Sequence, residues 1–135
     1  MDAKSRILIV DDEADFLFSA SVALRQAGYE VVGAGDGEEA LSRIRESLRA
    51  RKRFDLILTD LRMPSLCGLE LLEGMEKLGV EFPTIAMTGY LDDTLRADLI
   101  RKGCVDFLEK PFGPVELVER VRKVLKDLVC DGEGI

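Results

Sequence analysis

Apolar and polar positions along the chain alternate between two periods. "RILIV" (6–10) is a short apolar run suited to a buried strand, and from Asp12 the apolar residues Phe16, Leu17, Ala20, Ala23, Leu24 and Ala27 recur at helical spacing until Gly28. "YEVVGA" (29–34) reads as a second strand. The stretch "DGEEALSRIRESLRA" (36–50) carries Ala40, Leu41, Ile44 and Leu48 on one face, with Asp36 as a candidate cap. "FDLILTD" (54–60) is a third buried strand ending on Asp60. The loop "LRMPSLCG" then leads into the amphipathic "LELLEGMEKLG". Pro83 opens a fourth strand, "PTIAM", which stops at "TGY". "LDDTLRADLIRKG" forms a helix closed by Gly103, "VDFLEKPF" holds a short fifth strand, and a last helix runs from about Gly113 to Val129. The tail "CDGEGI" is expected to fray.

Five strand–helix units with near-continuous apolar strands predict an α/β fold: a single doubly wound parallel sheet with helices on both faces. The 135 residues fit one domain, 1–135, with a core of about 5–129. In such sheets ligands bind at the carboxyl ends of the strands. That edge gathers Asp11 and Asp12 after the first strand, Asp60 after the third, Thr88 after the fourth and Lys110 after the fifth.

The run "DDE" at 11–13 has to be reconciled with mutual repulsion between neighbouring carboxylates. A hard divalent cation reconciles it, since Mg²⁺ takes oxygen ligands and often pairs one or two carboxylates with a phosphate. Capping of the first helix by Asp11 or Asp12 is a plainer role for the same residues. Beside such a site, Lys110 would offer positive charge and Thr88 a hydroxyl to phosphoryl oxygens. Asp60 is the carboxylate best placed to act as nucleophile and form an acyl phosphate. Taken singly, Lys110 suits a salt bridge and Thr88 a turn.

Composition narrows the chemistry. The chain has no histidine, so His triads and His-ligated metals are excluded within it, and any histidine in the mechanism must come from a partner. The net charge of −7 argues against binding a phosphate backbone. "RIRESLRARKR" (43–53) holds six basic residues, fitting a solvated helix face or a docking patch for an acidic partner. Cys67, Cys104 and Cys130 form no close pair and suggest neither a disulfide framework nor a zinc site. No apolar run is long enough to span a membrane, and "MDAKSR" lacks the apolar core of a secretory signal, so a cytoplasmic location is expected.

The motifs "ILIVDDE", "LILTDLRMP", "TIAMTGY" and "DFLEKPF", in that order, resemble a response-regulator receiver domain of two-component signalling over essentially the whole chain. The resemblance implies a flavodoxin-like fold with strand order 2-1-3-4-5. It also implies phosphorylation of Asp60 by a phosphohistidine on a sensor histidine kinase or histidine phosphotransfer protein. Asp12, Asp60 and the backbone carbonyl of Arg62 would ligate Mg²⁺, or Mn²⁺ in its place, with Asp11 acting mainly through a metal-bound water. Lys110 would contact the phosphoryl group, the Lys110–Pro111 bond would be cis, and Thr88 and Phe107 would form a switch pair. Arg62 and Tyr90 would tune the phosphoryl lifetime. The chain would be a signalling switch that assists its own phosphorylation and dephosphorylation rather than an enzyme.

The face of the fourth helix, fifth strand and fifth helix would serve partner binding or a phosphorylation-dependent homodimer, where Leu95, Leu99 and Ile100 either cover the sheet or extend outward. Direct nucleic-acid or membrane binding is not expected. A metal-dependent aspartyl phosphatase would want D-x-D after the first strand, and a nucleotide-binding module a glycine-rich loop there; "VDDEADF" offers neither. No DNA-binding, ATPase or kinase module is expected in the few residues after Val129, and the chain reads equally as a stand-alone receiver or as part of an enhancer-binding activator or hybrid kinase.

Overall fold

The computed structural model describes residues 4–61 and 68–133, with the side chains of 68–69 and 129–133 excluded. Five strands, β1 (Arg6–Val10), β2 (Glu30–Ala34), β3 (Leu56–Asp60), β4 (Thr84–Thr88) and β5 (Cys104–Glu109), alternate with five helices. The helices are α1 (Ala14–Gln26), α2 (Gly37–Arg49), α3 (Gly68–Lys77), α4 (Asp93–Arg101) and α5 (Pro114–Glu133). All strand pairs are parallel, in the order β2-β1-β3-β4-β5.

Strand period 2 divides the interior into two layers. Leu8, Val10, Ile57 and Ala86 point to one face, where Ala40 and Ile44 of α2, Leu71, Leu72 and Met75 of α3 and Leu99 of α4 cover them. Ile7, Ile9, Leu56, Leu58, Ile85 and Met87 point to the other, beneath Ala20 and Leu24 of α1 and Leu117, Val121 and Val124 of α5. Burial on both faces explains why β1, β3 and β4 read as unbroken apolar runs. The edge strands β2 and β5 bury fewer residues, which makes their patterns patchier.

Helix ends follow local chemistry. Asp36 Oδ1 accepts from Glu39 N at 2.8 Å at the start of α2, and Glu39 Oε1 in return accepts from Gly35 N at 2.6 Å. Asp92 caps α4 in the same way, through Leu95 N at 2.7 Å. The first helix has no such cap. Glu13 occupies its N-cap without a side-chain bond, and Asp11 Oδ1 instead accepts from Glu13 N at 2.9 Å. Capping of α1 by Asp11 or Asp12 is therefore absent, and both carboxylates remain at the sheet edge. Gly28 (φ 102) and Gly103 (φ 99) reverse the chain after α1 and α4 in a region that L side chains rarely adopt.

Two boundaries differ from expectation. The fifth strand starts at Cys104 and contains a register shift opposite Thr84 and Ile85. The last helix extends to Glu133, past the Val129 end suggested by its apolar stripe. Among the described residues, no helix is long and apolar enough to cross a membrane.

Candidate phosphoryl and metal site

The carboxyl ends of β1, β3, β4 and β5 build one acidic edge. Asp11 follows β1 and is fully buried; its amide donates to Ala34 O at 3.1 Å, fixing the turn that leaves the strand. Asp60, the last residue of β3, is also buried, whereas Asp12 is exposed. One carboxylate oxygen from each of Asp11, Asp12 and Asp60 lies within 4.8 Å of the others.

Lys110 reaches into this edge from the end of β5. Its Nζ lies 2.8 Å from Asp11 Oδ2, 3.3 Å from Asp60 Oδ2 and 3.6 Å from Glu13 Oε1. The Lys110 amide donates to Thr88 O at 2.7 Å, and the Lys110–Pro111 peptide is cis. A single ammonium thus offsets part of the repulsion among the acidic residues before any metal is considered.

The titration of the pair reflects its surroundings. Burial pushes the Asp11 carboxyl above its ordinary range, more strongly than the Lys110 hydrogen bond, the Glu13 amide and the Lys110 charge pull it down, and Asp60 adds to the rise. For Lys110, burial opposes the charged form, but the hydrogen bond and charge of Asp11, with those of Asp60, outweigh it and hold the amine above its usual value. Lys110 is therefore a permanent cation near neutral pH.

The donor set fits a hard divalent ion. Three carboxylates supply only oxygen, a buried one is costly to ionise unaided, and the exposed Asp12 leaves an approach from solvent. Arg62, whose carbonyl is expected to ligate the metal beside Asp12 and Asp60, lies outside the described residues, as does Cys67.

Thr88 is buried, and its hydroxyl is engaged by the following turn: it donates to Tyr90 O at 3.0 Å and accepts from Tyr90 N at 3.2 Å. The Tyr90 side chain is 63 % exposed. Phe107 is half-buried against the α2–α3–α4 layer with the Arg96 guanidinium 5.0 Å from its ring centroid. Arg120 of α5 donates to Phe107 O at 2.6 Å and pairs with Asp106 at 3.2 Å. On α4, Leu99 is buried and Leu95 half-buried against the core, while Ile100 is 56 % exposed; on β5, Val105 is 47 % exposed.

Residues 7–122 match the family model described as "Response regulator receiver domain". The chain belongs to this family. It is 37 % identical over 123 residues to the "Probable transcriptional regulator ycf27" of Porphyridium aerugineum, covering 91 % of this chain and 49 % of that protein. It is 31 % identical over 121 residues to the "Alkaline phosphatase synthesis transcriptional regulatory protein PhoP" of Bacillus subtilis, covering 90 % and 48 %. A solved CheY-like receiver domain from Methanospirillum hungatei superposes with a TM-score of 0.81 at 33 % identity, covering 93 % of this chain and 96 % of that one. The receiver domain thus spans about half the length of the curated relatives it matches. Receiver domains are signalling switches of two-component systems, and they bind Mg²⁺ at an acidic pocket such as the Asp11, Asp12 and Asp60 cluster.

Two features of the site escaped the sequence. Glu13 was read only as part of the acidic run, and its nearness to Lys110 depends on a turn that sequence does not specify. Phe16 sits at helical spacing on the apolar face of α1, which suggests core, yet its ring centroid lies 4.6 Å from Lys110 Nζ. Elsewhere, a groove of about 550 Å³ opens at the opposite strand ends, between Val80–Pro83 and Arg101–Gly103, and contains none of these residues. Cys104 is buried, which pushes its thiol up to about 12 and leaves it unreactive at neutral pH.

Proposed function

We propose that this receiver domain accepts a phosphoryl group on Asp60 from a phosphohistidine of a sensor kinase or phosphotransfer protein. The observation that supports this most is the placement of Lys110 Nζ between Asp11 and Asp60 at the end of the central strand. In the transfer, an Asp60 carboxylate oxygen attacks phosphorus. An O–P bond forms, the P–N bond breaks, and its electron pair returns to the imidazole nitrogen, which takes up a proton from solvent. Lys110 turns from the carboxylates to the phosphoryl oxygens, where its fixed charge offsets the added negative charge. Asp11, Asp12 and Asp60, with the Arg62 carbonyl, would hold Mg²⁺, which when bound neutralises carboxylate and phosphoryl charge.

Thr88 then leaves the Tyr90 backbone to donate to a phosphoryl oxygen, and Phe107 turns into the space vacated. For this to happen, Phe107 has to leave Arg96 while Arg120 keeps hold of its carbonyl, so the change reaches α4, β5 and α5. Ile100 and Val105 on that face are the apolar anchors for a partner or a phosphorylation-dependent homodimer. Arg62 and Tyr90 shield the phosphoryl group from water, and the domain thereby assists both its phosphorylation and its slow hydrolysis.

Incubation with acetyl phosphate and Mg²⁺ tests the assignment. Intact-mass spectrometry should show one added phosphoryl group that is released by hydroxylamine and absent from Asp60→Asn. Equal labelling of the Asn variant would refute the role of Asp60.

A further inference from the structure

Lys110 has three carboxylates within 3.6 Å: its amine donates hydrogen bonds to Asp11 and Asp60, and Glu13 is a longer ion-pair contact at the rim. Glu13 is the exposed member of the set and competes for the same ammonium from the solvent side. The Phe16 ring bears on the same ammonium from the side of α1, its centroid 4.6 Å from Nζ. That ring is itself fixed. It is half-buried against the α1–α5 layer, and Phe112 meets it edge-on with centroids 5.6 Å apart and planes at 85°.

A π face attracts an ammonium without accepting a conventional hydrogen bond. It therefore orients the amine while leaving its N–H groups for oxygen partners. An aliphatic side chain at this position would cover the lysine stem but would supply no such field.

We propose that Phe16 is a positioning residue for phosphoryl binding, its ring face steering Lys110 towards the Asp11–Asp60 mouth and away from Glu13. The proposal rests on the reading of Asp60 as phosphoacceptor, and Phe16 itself touches no reacting atom.

The test compares wild type, Phe16→Leu and Phe16→Tyr, each with its unfolding midpoint measured. In the metal-free domain, the Lys110 ε-methylene protons should carry an upfield ring-current shift that Phe16→Leu loses and Phe16→Tyr keeps. With saturating Mg²⁺, beryllofluoride titration followed by amide NMR should give about three- to tenfold weaker binding for Phe16→Leu and near wild-type binding for Phe16→Tyr. If Phe16→Leu fails to fold, Phe16→Met carries the same comparison. Wild-type affinity in the aliphatic variant, or equal losses in the Leu and Tyr variants, would overturn the proposal. Absence of any beryllofluoride response in wild type would instead count against Asp60 as phosphoacceptor, and an unchanged Lys110 ε-methylene shift in Phe16→Leu would still refute the role of Phe16.

Discussion

At the scale of single residues, the site is governed by how expensive it is to keep Asp11 ionised. A carboxyl whose folded value is raised above 3.8 stabilises the fold fully below that value and loses the contribution as pH rises through the folded value. At neutral pH the metal-free domain therefore carries a penalty at Asp11. Lys110 titrates above 10.5 and does not enter this window. In urea unfolding without metal, wild type should gain stability relative to Asp11→Asn as pH falls from 7 towards 4. A difference between the two proteins that stays constant with pH would contradict this. The identities of Asp11, Asp12, Asp60, Thr88 and Lys110 as an ensemble were legible from sequence, because each lies at or just after a strand end. Their contacts were not, since Lys110 and Asp11 are separated by 99 positions and only the closed sheet brings them to 2.8 Å.

At the scale of elements, local chemistry decided most boundaries. Asp36 and Asp92 sit where a short polar side chain precedes an apolar helix face, and both cap as that pattern requires. Replacing either with Ala should cost about 1 kcal/mol in chemical denaturation, because it leaves an amide of the first turn without its side-chain acceptor. An unchanged midpoint for both variants would show that water replaces the caps at no cost. The first helix shows the limit of such reading. Its acidic N-terminal residues look like caps, but Asp11 is turned inward, where burial and Lys110 hold it. The end of α5 at Glu133 is not legible in the pattern, because the apolar stripe ends before the helix does.

At the scale of the whole molecule, doubly wound topology converts scattered residues into one edge and places α4, β5 and α5 on a common flank. The strand order was not contained in the hydrophobic pattern, which fixes only the alternation of strands and helices; it came from the resemblance to receiver domains. Two-layer burial makes the sheet a rigid platform, while Phe107 is held at its margin by Arg96 and Arg120 rather than by full burial. Such a residue can change position without dismantling the core. In the proposed switch, charge added at Asp60 is transmitted along this flank. The most direct measurement is the amide NMR spectrum of the domain with beryllofluoride, with and without Mg²⁺, alongside Asp60→Asn. Mg²⁺-dependent shifts should begin at Asp60, Thr88 and Lys110, extend through Phe107 into α4 and α5, and vanish in the variant. Shifts confined to the acidic edge, or persisting in Asp60→Asn, would contradict it.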